Sequence, residues 1–240
     1  MKIVNFFLDA RVIDKCLSGS LIVAISVEKC NLHIRIALKA LLIIGTSPRM
    51  LMLGLMLPTM FLSMWISNTA TTSMMVPIVE AIVMELDLET TKKMDGSMNQ
   101  EIQQRNKQSM REMLFLSVAY AASCGGVGTL TGGGPNIVLK GMIGTLFGSQ
   151  TPINFASWMA FALPTVIVNL LLCWLWLQVY FIGVPWSKSM VNVGSQETIK
   201  TLLVKKYAEL GPITFKQVAV LVHFSILVAL WFFREPRFIN

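Results

Sequence analysis

Trp65-Ile66-Ser67-Asn68-Thr69-Ala70-Thr71-Thr72 is a run of small hydroxyl and amide side chains set inside a long apolar region. Met50 to Ile66 before it is nearly all apolar, and Ser73 to Met84 after it is apolar again. No acidic residue occurs between Lys29 and Val79. Polar groups in lipid are costly unless they pair or face a cavity, so this cluster is a candidate site. Each apolar limb is shorter than the roughly 20 residues that an independent span needs. Two short limbs around a polar tip fit a re-entrant helical hairpin over residues 50–84. Such a tip is tolerated at membrane depth only where protein or water surrounds it.

Composition agrees. The chain has 240 residues and is 54% hydrophobic and 14% charged, against about 25% charged in soluble domains. It reads as an integral membrane protein. A net charge of +7 then points to Lys and Arg in cytoplasmic loops rather than to a nucleic-acid partner. Cys16, Cys30, Cys124 and Cys173 lack metal-site spacing, and those in apolar or Gly-rich segments read as small buried hydrophobes. Neither His33 nor His223 has a ligand-like partner nearby in sequence. Met1 to Ala10 lacks a long apolar core followed by a small-residue cleavage site, so no cleavable signal peptide is expected.

Outward from the hairpin, residues 1–49 read as the end of a scaffold helix and an arm. Leu17 to Val27 is too short to span alone. Ile36, Ala37, Ala40, Leu41 and Ile44 recur near helical spacing until Gly45 and Pro48 stop the pattern. The basic residues around them fit either an interfacial amphipathic helix or an ordinary helix end with a basic loop. Residues 85–112 are strongly polar and read as a cytoplasmic loop.

Residues 113–154 begin as a helix, Leu114 to Ala122, and then meet Gly125-Gly126-Val127-Gly128-Thr129-Leu130-Thr131-Gly132-Gly133-Gly134-Pro135-Asn136. Within a helix glycine costs about 1 kcal/mol and proline about 3 relative to alanine. The expectation is a transmembrane helix broken at this point, with an external loop after it. Phe155 to Gly183 is the clearest span, with Trp158, Trp174, Trp176, Tyr180 and Trp186 placed to mark its interfaces. Residues 184–214 read as a second cytoplasmic loop, 215–233 as another span, and 234–240 as a truncated end. The segments 28–49, 85–112 and 184–216 carry most of the Lys and Arg, and 141–154 carries none. The first three are therefore expected in the cytoplasm.

The two polar breaks carry the chemistry. Ser63, Ser67, Asn68, Thr69, Thr71, Thr72 and Ser73 supply hydroxyl and amide groups, and Thr129, Thr131, Asn136 and unwound carbonyls supply more. Monovalent cations take several neutral oxygens, while the N-termini of half-helices suit an anionic group; secondary transporters combine the two at a midplane site. Ser63 and Ser67 are four apart, which would place both on one helix face. Against this stands the plain alternative that such hydroxyls bond their own backbone or join neighbouring helices. The glycine-rich stretch lacks Gly-x-x-x-x-Gly-Lys-Ser/Thr and any Gly-x-Gly-x-x-Gly after a strand, which disfavours a nucleotide loop. No Ser/His/acid or paired-carboxylate set lies near the breaks, so an enzyme is not expected.

Ser67-Asn68-Thr69-Ala70-Thr71-Thr72 with Met74-Met75-Val76-Pro77-Ile78 resembles the sodium-coupled di- and tricarboxylate and sulfate transporters, solute carrier family 13. Thr129 to Asn136 resembles that family's second motif, usually Thr-Gly-Thr-Gly-Pro-Asn. Val27 to His33, through Ile36-Ala37-Leu38, looks like its arm sequence. The resemblance runs from about Gly19 to the end of the chain and is closer to the carboxylate branch.

It implies an all-α, polytopic helical transporter of two inverted repeats, each with a re-entrant hairpin and a broken helix, that forms homodimers. It also implies a multi-pass location in the membrane, the plasma membrane being expected. Mapped by motif, Ser63, Ser67, Asn68, Gly132 and Asn136 would hold a coupling sodium, with Thr131 a weaker candidate. Ser67, Asn68 and Thr69 would bind a substrate carboxylate of the succinate or citrate type. Two departures stand out: Gly133 replaces the family's threonine, and only one Ser-Asn-Thr motif is present. The chain is thus expected to be an incomplete transporter covering one repeat of two. The alternatives are a non-transporting protein that associates with and regulates full-length copies, and a sulfate-type anion transporter.

Overall fold

The computed structural model describes residues 22, 25–92, 100–147, 153–182 and 196–233. The readings made for residues 1–21, 184–195 and 234–240 lie outside the described residues. Among the described residues every long element is helical: α1 (Leu32–Ile44), α2 (Pro48–Ser63), α3 (Asn68–Lys92), α4 (Gln100–Gly125), α5 (Gly134–Phe147), α6 (Phe155–Leu177) with a π-turn at Gln178–Ile182, α7 (Gln196–Glu209) and α8 (Phe215–Phe233).

Local chemistry sets the boundaries. Before α1 the chain turns through Asn31 at φ 55, a left-handed conformation that Asn tolerates better than most residues. The Ser47 side chain accepts from the Met50 amide and Pro48 takes the first helical position of α2, where its missing N–H has no partner to lose. Asn154 and Ser157 cap α6 reciprocally, with Ser157 N donating to Asn154 Oδ1 at 2.7 Å and Asn154 N donating to Ser157 Oγ at 2.9 Å.

The core gathers α1, α2, α3 and α4 around Leu41, Leu55, Met56, Met75, Val79 and Leu114, all fully or nearly fully buried. α2 and α3 form a hairpin closed by residues 64–67. α3 and α4 run antiparallel: Asn68 at the start of α3 lies against Gly126, just past the end of α4. Among the described residues, α6 and α8 are the helices long and apolar enough to cross a membrane. They leave large apolar side chains outside, among them Phe161 at 80% exposure and Trp176 at 69%. A polar face would meet water there; these faces fit lipid. The molecule is an all-α membrane protein. Trp65, at the hairpin turn, joins these helices to the tip: its ring stacks on Phe155 and on Trp231 and meets Phe224 edge-on.

Several expectations are corrected. The return limb is longer than residues 73–84: α3 runs from Asn68 to Lys92, with Pro77 inside it. Residues 85–92 and 100–112 are helical rather than loop, because their Glu, Leu, Lys, Gln, Met and Arg residues are good helix formers and Gln108 Nε2 bonds Glu112 Oε1 at 2.9 Å one turn on. Residues 196–209 form α7, since Ile199 and Leu203, four apart, bury one face of an otherwise polar segment. Ser63 and Ser67 do not share a helix face. Ser63 ends α2 fully buried, the turn intervenes, and Ser67 is exposed before α3. Cys30, Cys124 and Cys173 are partly exposed rather than fully buried. In α1, His33 and Arg35 are buried.

Candidate functional site

The hairpin turn and the helix break meet. Residues 126–133, between α4 and α5, lie against residues 60–68 of the hairpin. Glycine permits the approach. A Cβ on Gly125 would overlap the Met60 carbonyl, and one on Gly126 would overlap the Asn68 amide. A Cβ on Gly132 would stand 2.8 Å from Met64 O, 2.9 Å from Gly126 O and 3.1 Å from Ser63 O. The missing side chain therefore opens a spot on which carbonyls from both segments converge.

Side chains tie the two segments. Thr129 Oγ1 donates to the Met64 carbonyl and accepts from the Gly132 amide at 3.0 Å. Asn136 Nδ2 donates to Gly126 O at 2.8 Å and to Thr129 O at 2.9 Å, which fastens the first turn of α5 to the break. Ser63 Oγ lies 2.8 Å from Asn68 Oδ1 and 2.7 Å from Ala122 O. A hydroxyl has one hydrogen to give, and the Ala122 carbonyl already accepts from the Gly126 amide at 3.0 Å, so Ser63 serves only one of its two neighbours at a time.

The expected residues thus divide. Ser63, Asn68, Gly132 and Asn136 come together around the break. Thr131 is half-buried beside Thr129, with the two hydroxyls 3.4 Å apart. Ser67 and Thr69 are exposed; the Ser67 hydroxyl accepts from the Ala70 amide at 3.4 Å. Thr72 and Ser73 bond the carbonyls of Asn68 and Thr69, their own helix backbone, as the plain alternative holds for them. Ala122, whose carbonyl meets Ser63, and Thr129, whose hydroxyl spans the two segments, were not among the motif-mapped ligands. A backbone carbonyl carries no residue signature, so Ala122 leaves no mark in the sequence. Gly133, where the family motif has threonine, has room for a tight side chain: a Cβ would stand 3.2 Å from Gly126 O and 3.4 Å from Asn136 Nδ2.

The arrangement offers neutral hydroxyl, amide and carbonyl oxygens, with the N-termini of α3 and α5 both abutting Gly126. Carbonyls and amides freed by a broken helix are what a monovalent cation takes, and helix N-termini favour an anion. The donor set fits a sodium ion beside a carboxylate.

Comparison with known proteins gives the family. Residues 13–240 match the family described as the sodium:sulfate symporter transmembrane region. The chain is 42% identical over 251 residues to the Na(+)/citrate cotransporter of Rattus norvegicus, covering 92% of this chain and 44% of that protein. It is 41% identical over 260 residues to solute carrier family 13 member 2 of Homo sapiens, with the same coverage of 92% and 44%. With the Na(+)/dicarboxylate cotransporter 3 of Mus musculus it shares 34% over 282 residues, covering 98% of this chain and 46% of that protein. The chain spans less than half the length of these curated relatives. Over residues 13–240 it belongs to the sodium:sulfate symporter transmembrane family, among the solute carrier family 13 proteins.

Proposed function

We propose that this chain supplies a sodium- and carboxylate-binding site to a secondary transporter of di- and tricarboxylates. The observation that carries the reading is the contact of Ser63 Oγ with both Asn68 Oδ1 and Ala122 O, at the place where two helices begin. Ser63, Asn68, Gly132 and Asn136 would hold the ion, with Ser67 and Thr131 as outer candidates. Asn68 and Thr69, with Ser67, would meet the carboxylate. The relatives' names, citrate and dicarboxylate cotransporters, support the substrate class. Their being transporters favours transport over catalysis. Residues 64–67 are taken as the membrane-embedded tip of a re-entrant hairpin. The assembly is taken as a homodimer, on the family resemblance.

Sodium and carboxylate binding at adjoining groups are reciprocally linked: each raises affinity for the other by the same factor. The test is thermal unfolding of the purified chain in detergent, with sodium chloride titrated against choline chloride and succinate or citrate present or absent. Sodium should raise the melting temperature saturably, and Asn68→Ala should weaken the half-saturating sodium concentration about tenfold or more, the loss of one contact of about 1.5 kcal/mol. Ser73→Ala should keep the response of the parent chain. An Asn68→Ala chain with an unchanged sodium response would remove the site.

A further inference from the structure

Thr71 stands apart from its neighbours. It is fully buried, and its Oγ1 has no hydrogen-bond partner among the described residues. Ser and Thr hydroxyls within helices commonly bond the carbonyl four residues back. Thr59, Thr72, Ser73 and Ser123 all do so, at 2.6 to 3.0 Å. Thr71 does not, although the Ser67 carbonyl is close enough to accept from its amide at 2.9 Å. A buried hydroxyl left without a partner is costly, and such a group in a native fold points to a ligand such as an ordered water or an ion.

Register says where that ligand would be. α3 and α4 are antiparallel, and Asn68 lies on Gly126. One turn further along α3 is Thr71, on the same side as Asn68. One turn back along α4 from Gly126 is Ala122. The Ala122 carbonyl is the one that Ser63 Oγ reaches at 2.7 Å. Thr71 therefore sits level with the cluster of Ser63 Oγ, Asn68 Oδ1 and Ala122 O.

We propose that the Thr71 hydroxyl is a further oxygen of this cluster and a ligand of the cation held there. The proposal rests on the reading of Ser63 and Asn68 as a sodium site. It goes beyond that reading by giving the cluster a deep wall: Ser63 and Ala122 on one side, Asn68 nearest the turn, and Thr71 closing it from the helix interior. The side chain is a neutral hydroxyl, so the ion keeps its charge and an anion can still bind nearby. The adjoining Thr72, whose hydroxyl is already bonded to the Asn68 carbonyl, has no such part.

The experiment uses the purified chain in detergent and reads the melting temperature against sodium chloride, with choline chloride holding ionic strength. Thr71→Val keeps the shape and removes the hydroxyl. It should raise the half-saturating sodium concentration about tenfold or more, while the melting temperature in choline chloride holds or rises, since an unpaired polar group has been removed. Thr71→Ser should restore a response close to that of the parent chain, and Thr72→Val should leave it unchanged. Thr71→Ala gives the same reading should valine pack poorly. A parent-like sodium response in both Thr71→Val and Thr71→Ala overturns the proposal. So does an equal loss of stability with and without sodium, which would make the hydroxyl structural. Asn68→Ala in the same series separates the two readings. If it loses the response and Thr71→Val keeps it, only Thr71 is misassigned; if neither loses it, the sodium site itself is wrong.

Discussion

The guanidinium of Arg35 donates to the Gly211 carbonyl at 2.8 Å, joining α1 to the end of α7 across 176 residues of chain. The same Nη2 reaches Leu210 O at 3.0 Å, and the group lies 5.5 Å from the centre of the Tyr207 ring. Gln217 Nε2 adds a bond to Cys30 O at 2.8 Å, so the connection from α7 to α8 is fastened twice to the start of α1. The last carbonyls of a helix lack intrahelical donors, and a cation there also meets the negative end of the dipole. Arg35→Gln should therefore destabilise the chain by about 1.5–3 kcal/mol. Arg35→Lys should recover only part, because a point charge cannot reproduce the planar group's contacts. Denaturant or thermal unfolding checks this; a neutral Arg35→Gln would show that the contact is loose.

His33, two residues away, gives a pH dependence. It is buried, and burial holds its imidazole below the ordinary 6.5, outweighing the Val27 carbonyl and the charge of Glu28, which both raise it. The fold thus favours the neutral ring. Its contribution is fully present above pH 6.5 and is lost as pH falls through the lowered folded value. The parent chain should lose melting temperature on acidification below pH 6.5, and His33→Gln should flatten that part of the profile. Coincident profiles for the two chains would show that the ring titrates freely.

What could be read in advance followed from patterns with few competing explanations. The glycines from Gly125 to Gly134 announce a break, and Phe155–Leu177 and Phe215–Phe233 announce themselves by length and apolarity. The polar segments 85–112 and 196–209 were opaque because polar helices carry little apolar signal while keeping helical propensity. Arg35 reads as one more basic residue of an amphipathic arm; its burial depends on carbonyls at 210–212 that no local pattern announces. At the site, the hydroxyl residues were legible as a set, but not their division. Thr72 bonds its own backbone and its neighbour Thr71 does not, a difference that two adjacent threonines of the same type do not announce.

Trp65 should act through its area and not its N–H. The ring is 6% exposed and packed against Phe155, Phe224 and Trp231, and its Nε1 has no acceptor among the described residues. Trp65→Phe should be tolerated within about 1.5 kcal/mol. Trp65→Ala should cost about 3–5 kcal/mol through the cavity it leaves and should loosen the turn that carries Ser67 and Asn68. Unfolding measurements on the two variants decide it; equal losses would mean that the N–H has a partner after all.

The glycines of the break offer the sharpest separation of fold from site. At Gly125 a methyl group would overlap the Met60 carbonyl, which is backbone of α2 and cannot turn aside. Gly125→Ala should force α2 and α4 apart and yield little folded protein. At Gly126 the methyl would overlap the Asn68 amide, a side chain that can rotate away. Gly126→Ala should therefore fold, but with Asn68 displaced from Ser63 and the sodium response of the melting temperature lost. At Gly134 nothing lies within 4 Å of the added carbon, and alanine is the better helix former by about 1 kcal/mol, so Gly134→Ala should keep both stability and response. Size-exclusion profiles report the folding half of the prediction, and sodium titration of unfolding reports the other. A Gly126→Ala chain that folds and keeps its sodium response would show that the Asn68 amide can leave its place without consequence, and would remove it from the site.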